Sequence, residues 1–409
     1  MKIAKLNPSI NRIEFIGLAA LIMALNALAI DVMLPALPMI GEAMQVEAEN
    51  HRQFIVTFFL IGFGFSQLFF GPLCDAIGRR ATFLIGVTIY IAAAIGGAMT
   101  TDLNAMLFMR VIQGLGAGAS RVVALSMVRD CFGGRAMAEV MSLIMMVFMI
   151  MPVLAPTFGQ LIILFGPWQF IYFAMALIAI FAAIWTILRL PETLAPENRR
   201  AFRPKIIIEG FAIVFSNRMA LSYGLANMVA LGALFGFLAP SQQIYGELYG
   251  LGPWFPAAFA AIATVMSIAS FTNSRMVGRF GMRKLSHSAL IGFISLSLLW
   301  SILAYLNALP LWAFMAIQAP VMFLFGLMGT NFNSLSMEPL GRVAGTAASV
   351  FGFMQTVGGA LLGTFIGQAY NGSVLPIALG YVILGSISMC FVLVAEKGKL
   401  FKPQFDPIT

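Results

Sequence analysis

Apolar residues in this chain come in long, nearly unbroken blocks, and polar residues gather into short stretches between them. Twelve blocks can be drawn, at 13–37, 53–74, 81–99, 103–128, 137–165, 169–188, 210–241, 254–275, 286–307, 310–334, 343–370 and 374–395. Each is long enough to carry a helix across about 30 Å of hydrocarbon at about 1.5 Å per residue. Helices are the expected element, because an open sheet leaves its edge groups unbonded in lipid. The pattern predicts an all-α polytopic membrane protein with twelve transmembrane helices.

The polar stretches sort these helices into two sets. The longest, 189–205, combines three prolines with a run of basic residues and reads as a hydrated linker. The expected organisation is a six-helix bundle over 1–188, a cytoplasmic linker over 189–208, and a second six-helix bundle over 209–409 with a short cytoplasmic tail. Between the second and third blocks lies Gly71-Pro72-Leu73-Cys74-Asp75-Ala76-Ile77-Gly78-Arg79-Arg80, whose composition suits a tight, charge-paired turn at a membrane face. After the eighth block comes Arg275-Met276-Val277-Gly278-Arg279-Phe280-Gly281-Met282-Arg283-Lys284, a degenerate copy. In it Gly281 and Arg283 stand for Gly78 and for Arg79 or Arg80. Two pseudo-symmetric halves of this kind mark secondary transporters, whose substrate site is expected near the midplane between them.

Composition agrees with the pattern: 60% of the 409 residues are hydrophobic and only 10% charged, with a mean hydropathy of +0.94. Soluble domains carry about 25% charged residues. The net charge of +8 is spread over many loops instead of forming one patch, so nucleic acid is not an expected partner. The positive-inside rule accounts for it. With the N-terminus in the cytoplasm, the inner loops and tails hold Lys2, Lys5, Arg12, Arg79, Arg80, Arg129, Arg135, the basic residues of 189–205, Arg218, Arg275, Arg279, Arg283, Lys284, Arg342, Lys397, Lys399 and Lys402. The outer loops hold Arg52 alone. A multi-pass protein of the cell inner membrane with both termini cytoplasmic is expected. Ala27-Leu28-Ala29 resembles a signal-peptidase site, but the two-half repeat needs the first helix, so retention is expected. Cys74, Cys131 and Cys390 form no even framework for disulfides.

Ionisable residues inside the blocks are few. Asp31 is the one acid well inside a span, where an ionised carboxylate costs about 2.5–3.5 kcal/mol. Its protonation would follow its hydration, which suits coupling of proton movement to conformational change; the other reading is a helix-end acid reaching the outer interface, since Pro35 follows one turn later. Arg110 lies about 10 Å into the fourth helix and Asp31 about 6–9 Å from the outer end of the first. Their shared depth permits mutual pairing. Arg121, about 10 Å from the inner loop at Arg129, is expected to snorkel to that face. Gly114, Gly116 and Gly118 follow in an apolar helix with no preceding strand, so close helix packing is favoured over a dinucleotide loop, and the same holds for Gly359, Gly363 and Gly367. No Walker-type ATP motif occurs. Pro152, Pro156 and Gly159 place helix breakers in the fifth span, either a bend at an access path or an incidental kink.

Polar residues within spans, namely Asn26, Gln113, Asn227, Gln318, Asn331 and Gln355, are candidates for a cavity or for interhelical bonds. The 27 methionines and 37 phenylalanines are mostly lipid-facing or packing residues. His51 and His287 fall at helix ends near opposite faces, and no metal or other cofactor is expected. No constellation of nucleophile, base or metal ligands speaks for an enzyme.

The 71–80 stretch resembles the loop signature G-x-L-x-D-R-x-G-R-R of the major facilitator superfamily, and Arg110-x-x-Gln113-Gly114 resembles its fourth-helix motif. Together with Ala29-Ile30-Asp31-Val32-Met33-Leu34-Pro35-Ala36-Leu37-Pro38, Gln67, Val128-Arg129-Asp130 and Leu190-Pro191-Glu192-Thr193-Leu194, the chain is similar to the bacterial Bcr/CflA drug-resistance branch. The resemblance implies a monomeric drug:proton antiporter of the inner membrane, taking small, amphipathic molecules as substrate and protons as the coupling ion. It implies that Asp31 takes part in coupling with support from Arg110. Gly71, Asp75, Gly78, Arg79 and Arg80 would form a gating latch, and Pro152, Pro156 and Gly159 an antiporter motif. Ala76 stands where arginine is usual, so a weaker latch is expected; Ala155 and Gln160 replace glycines of G-P-x-x-G-G, which weakens the antiporter motif without cancelling it. An exporter or importer of a specific metabolite or siderophore is the alternative.

Overall fold

In lipid the backbone must bond to itself, and the apolar blocks become helices accordingly. The computed structural model describes residues 10–199, 204–307 and 309–401. Lys2, Lys5, Arg200, Arg203 and Lys402, counted above among the basic residues, lie outside them. Twelve described helices are long and apolar enough to cross a membrane, and no strand occurs among the described residues. The chain divides into two compact units, Met1–Lys205 and Ile206–Thr409. Unit 1 holds α1 (Arg12–Asp31), α2 (Phe54–Ile77), α3 (Arg79–Ala98), α4 (Leu103–Cys131), α5 (Gly134–Phe165) and α6 (Gln169–Arg189). Unit 2 holds α7 (Arg218–Leu238), α8 (Phe255–Phe280), α9 (Met282–Tyr305), α10 (Leu311–Met337), α11 (Ala344–Gln368) and α12 (Leu375–Ala395).

Packing within each unit repeats. In unit 1 the principal pairs are α2 with α4, α3 with α4, α3 with α6, and α1 with α4, α5 and α6. In unit 2 they are α8 with α10, α9 with α10, α9 with α12, and α7 with α10, α11 and α12. These are the same six pairs advanced by six helices. Small residues set the closest of them: a Cβ at Gly114 would strike the Phe59 carbonyl of α2, and one at Gly116 would lie 2.5 Å from the Gly86 carbonyl of α3. In α11, Gly359 and Gly363 pack in the same way on Phe235 of α7. Backbones approach this closely because dispersion, with no water to expel, is what joins helices in lipid. Other faces stay bare. Phe170, Phe173, Leu177, Phe181, Ile184 and Leu188 recur every three or four residues along α6, all exposed, an apolar stripe that needs hydrocarbon around it.

Three boundaries differ from expectation. The first span does not run on as one helix: α1 stops at Asp31, a 3₁₀ turn over Leu34–Ala36 carries Pro35, and a short helix occupies Leu37–Ala43. The expected seventh span, 210–241, is two helices, Pro204–Ser216 and α7, because extended Asn217 breaks the chain and its side chain caps Ala220 N–H at 2.9 Å. Finally, the 71–80 stretch is not a loop. Helix α2 continues through Pro72 to Ile77, and the whole turn is Gly78, at φ +102° and ψ 166°.

Candidate functional site

The end of α1 carries Asp31 and receives Arg110 of α4. Asp31 closes the regular helix and is 5% exposed. Among the described residues no donor or cation bonds its carboxyl group. Two residues earlier, the Ala29 carbonyl accepts a hydrogen bond from Arg110 Nη2 at 2.9 Å. One residue later, the Val32 carbonyl packs against Gly159 of α5, where any Cβ would strike it, and the Pro35 ring lies 3.3 Å from the same point. The 29–32 segment is thus held by α4 on one side and by α5 on the other.

Arg110 itself is fully buried. Its Nε donates to the Ile55 carbonyl at 2.9 Å and its Nη1 to Gln113 Oε1 at 2.6 Å, and its guanidinium carbon lies 4.6 Å over the Phe59 ring. The pairing with Asp31 that their shared depth permits is therefore not formed. The guanidinium is spent on carbonyls of α1 and α2, so it fastens three helices together and leaves the acid alone. Pro152 and Pro156 lie inside α5, which stays helical from Gly134 to Phe165. That disposes of a break, since neighbouring helices tolerate the missing N–H groups.

Of the polar candidates, Gln113 is bound to Arg110, and Asn331 donates to Asn273 Oδ1 at 2.6 Å, joining α10 to α8. Asn227 is buried on α7 with its oxygen facing Gly329 of α10. Among the described residues, no partner bonds the two buried amide atoms of Asn26 or the buried amide nitrogen of Gln355. Gln355 sits in a π-helical segment of α11, Met354–Gly358. A buried unbonded amide costs about 1–3 kcal/mol, which a ligand or water relieves. The structure does not bring Asn26 and Gln355 onto one element.

A second cluster surrounds the Gly78 turn. Glu192, beyond α6, accepts from Arg79 N–H at 2.9 Å and Arg80 N–H at 3.2 Å, so its carboxylate caps the N-terminus of α3. The Arg79 side chain donates to Asp130 Oδ2 at 2.7 Å, Asp75 Oδ1 at 2.8 Å and the Cys74 carbonyl at 2.7 Å. Thr193 Oγ1 adds a 3.1 Å bond to Asp130. Arg80 reaches instead the Ile187 carbonyl of α6 at 2.7 Å. Gly71 lies in α2, one turn before the cluster begins. Asp130 and Glu192 had no assigned role in the sequence reading, although each closes a spanning helix with a carboxylate.

Unit 2 carries the counterpart. Gly281, at φ +77° and ψ 157°, is the break between α8 and α9, and Arg283 then occupies the place of Arg80 as second residue of its helix. Arg283 Nε donates to Glu396 Oε1 at 2.7 Å, and Glu396 follows α12 as Glu192 follows α6. Tyr223 donates to the same oxygen at 2.7 Å. His287 Nδ1 accepts from Phe401 N–H at 3.2 Å, which leaves Nε2 to carry the proton and donate to the Tyr223 oxygen at 2.9 Å. Periodicity places no signal on this network; the recurrence of an acid after the last helix of each unit does.

Arg121, expected to snorkel, lies within α4. It is exposed and bonded to no described group, yet lies ten residues before the end of α4.

One six-helix unit used twice, with isolated polar groups buried in its spans, is the build of a polytopic membrane transporter. The chain belongs to the Major Facilitator Superfamily, whose sequence profile matches residues 19–364. Among curated relatives it is 30% identical to the bicyclomycin resistance protein homolog of Haemophilus influenzae over 94% of this chain and 97% of that one. It is 25% identical to multidrug resistance protein D of Escherichia coli over 86% and 87%. The xylose transporter XylE of E. coli, solved partially occluded and inward open, superposes with a TM-score of 0.69 at 12% identity, over 94% of this chain and 96% of that one. The human organic anion transporter MFSD10 gives 0.63 at 18%, over 95% and 100%. Both share the fold.

Proposed function

We propose that this transporter exports small, amphipathic, drug-like compounds across the inner membrane in exchange for protons, by alternating access, with both termini cytoplasmic. Similarity over nearly the whole chain to a bicyclomycin resistance protein homolog and a multidrug resistance protein supports the substrate class. Proton coupling rests on one observation, the buried carboxyl of Asp31, with no bonded partner among the described residues, at the meeting of α1, α4 and α5. An ionised acid there costs about 2.5–3.5 kcal/mol on insertion scales, so its protonation follows its access to water. A proton taken from the outer side and released to the cytoplasm would then alternate with substrate. Arg110 acts on the acid through the α1 backbone, because its hydrogen bond goes to the Ala29 carbonyl. Gly71, Asp75, Gly78, Arg79 and Arg80, with Asp130 and Glu192, form the gating cluster of this reading. The residues Pro152, Pro156 and Gly159 let α5 slide against 32–35.

In everted vesicles, adding a transported drug should release protons with the wild-type chain and not with Asp31→Asn, while the variant still purifies as a folded protein. Undiminished drug-driven proton movement in Asp31→Asn would overturn the coupling assignment.

A further inference from the structure

Three ionisable residues of unit 1 lie more than four residues from a span end: Asp31, Arg110 and Arg121. Arg110 is satisfied by carbonyls and Gln113, and Asp31 is enclosed near Ala29. Arg121 is left with neither a hydrogen bond nor an ion pair among the described residues. Unit 1 therefore holds, inside one of its spans, a cation with no anion bonded to it among the described residues.

Arg121 lies well inside α4. It stands about 15 Å along α4 from Cys131. Side chains of a helix lean toward its N-terminus, which aims this stem at the Leu103 end, deeper into the span. Eleven residues, three turns, separate Arg121 from fully buried Arg110, so the two share a face to within about 20°, whereas Phe108, 60% exposed, lies about 140° away around the axis. On the same face Gly114 and Gly118 bring α4 against Phe59 and Ser66 of α2. Arg121 thus follows the close contact of α4 with α2 and is exposed, whereas Ser120, Val123, Ala124 and Met127 beside it are buried.

A charge taken from water without a partner is costly, and a guanidinium is shaped to relieve that cost by gripping a carboxylate through two parallel N–H donors. We propose that Arg121 is the anion-recognising group of this transporter and that its preferred substrates are amphipathic organic carboxylates. The apolar surroundings hold the body of such a molecule and Arg121 its acid group. This rests on the transporter reading above and names its substrate class.

The test is equilibrium binding to the full chain in phosphatidylcholine nanodiscs, which contain no anionic lipid. The probes are dansylglycine and its neutral amide, dansylglycinamide, followed by dansyl fluorescence. Wild type should bind the carboxylate about tenfold to a hundredfold more tightly than the amide. Arg121→Gln should bring the two affinities together by weakening the carboxylate alone, and Arg121→Lys, keeping the charge without the fork, should retain a reduced preference. Equal affinities in wild type, no binding of dansylglycine, or an unchanged preference in Arg121→Gln would overturn the proposal. If Arg121→Gln does not fold, the wild-type preference and its reduction in Arg121→Lys decide. Binding needs no proton gradient, so Asp31→Asn should keep the preference even where export is lost. That separates failure of this inference from failure of the antiport reading.

Discussion

Gly78 and Gly281 occupy a backbone region closed to residues with a Cβ, each as a one-residue turn between consecutive helices. Their surroundings differ. A Cβ at Gly281 meets nothing within 4 Å, whereas at Gly78 it would run into the Glu192 carboxylate. Gly281→Ala should cost the backbone strain alone, about 1–3 kcal/mol, and Gly78→Ala that strain plus displacement of the α3 cap. Thermal unfolding of the two purified variants checks this, with the lower Tm expected for Gly78→Ala; equal shifts would mean that Glu192 yields freely. The importance of both glycines is legible in the sequence as a repeated motif. The partner of Arg110 is not, because depth along a helix says how far down a side chain sits and nothing about the direction in which it points. Rotation of α4 put Arg110 against two carbonyls.

At the scale of the element, α3 begins on a carboxylate contributed by a segment more than one hundred residues away, with Glu192 accepting from Arg79 and Arg80 N–H. Glu192→Ala should remove a helix cap worth about 0.5–2 kcal/mol, and hydrogen exchange at the amides of 79 and 80 should speed up while that of α6 stays unchanged. Helix existence was readable from hydrophobic blocks, but their ends were less so. The end of α2 was hidden because Pro72 signals a turn in water and is tolerated within a membrane helix. The break at Asn217 was hidden because apolar residues flank it on both sides, so hydropathy runs through a boundary that a single capping side chain creates.

At the scale of the molecule, the basic residues concentrate at the ends of the spans that carry Arg79, Arg189 and Arg283, the ends assigned above to the cytoplasm. With Cys74, Cys131 and Cys390 replaced by alanine, Thr101→Cys and Asn371→Cys should react in intact cells with a membrane-impermeant maleimide, and Glu197→Cys should not. The reverse pattern would invert the topology.

The sequence by itself determined the class of structure: helices, twelve spans, a duplicated unit and the family. Lipid leaves the backbone one economical solution, and the length and spacing of apolar blocks state it directly. Only the tertiary structure decided which buried charges are satisfied. Among the described residues Arg110 is bonded and Asp31 is not, Arg121 is exposed, and Glu192 and Glu396 close equivalent corners of the two units. Those outcomes depend on how neighbouring helices are rotated about their axes. That rotation is set by close approaches such as Gly114 on Phe59 and Gly159 on Val32, between residues far apart in the chain.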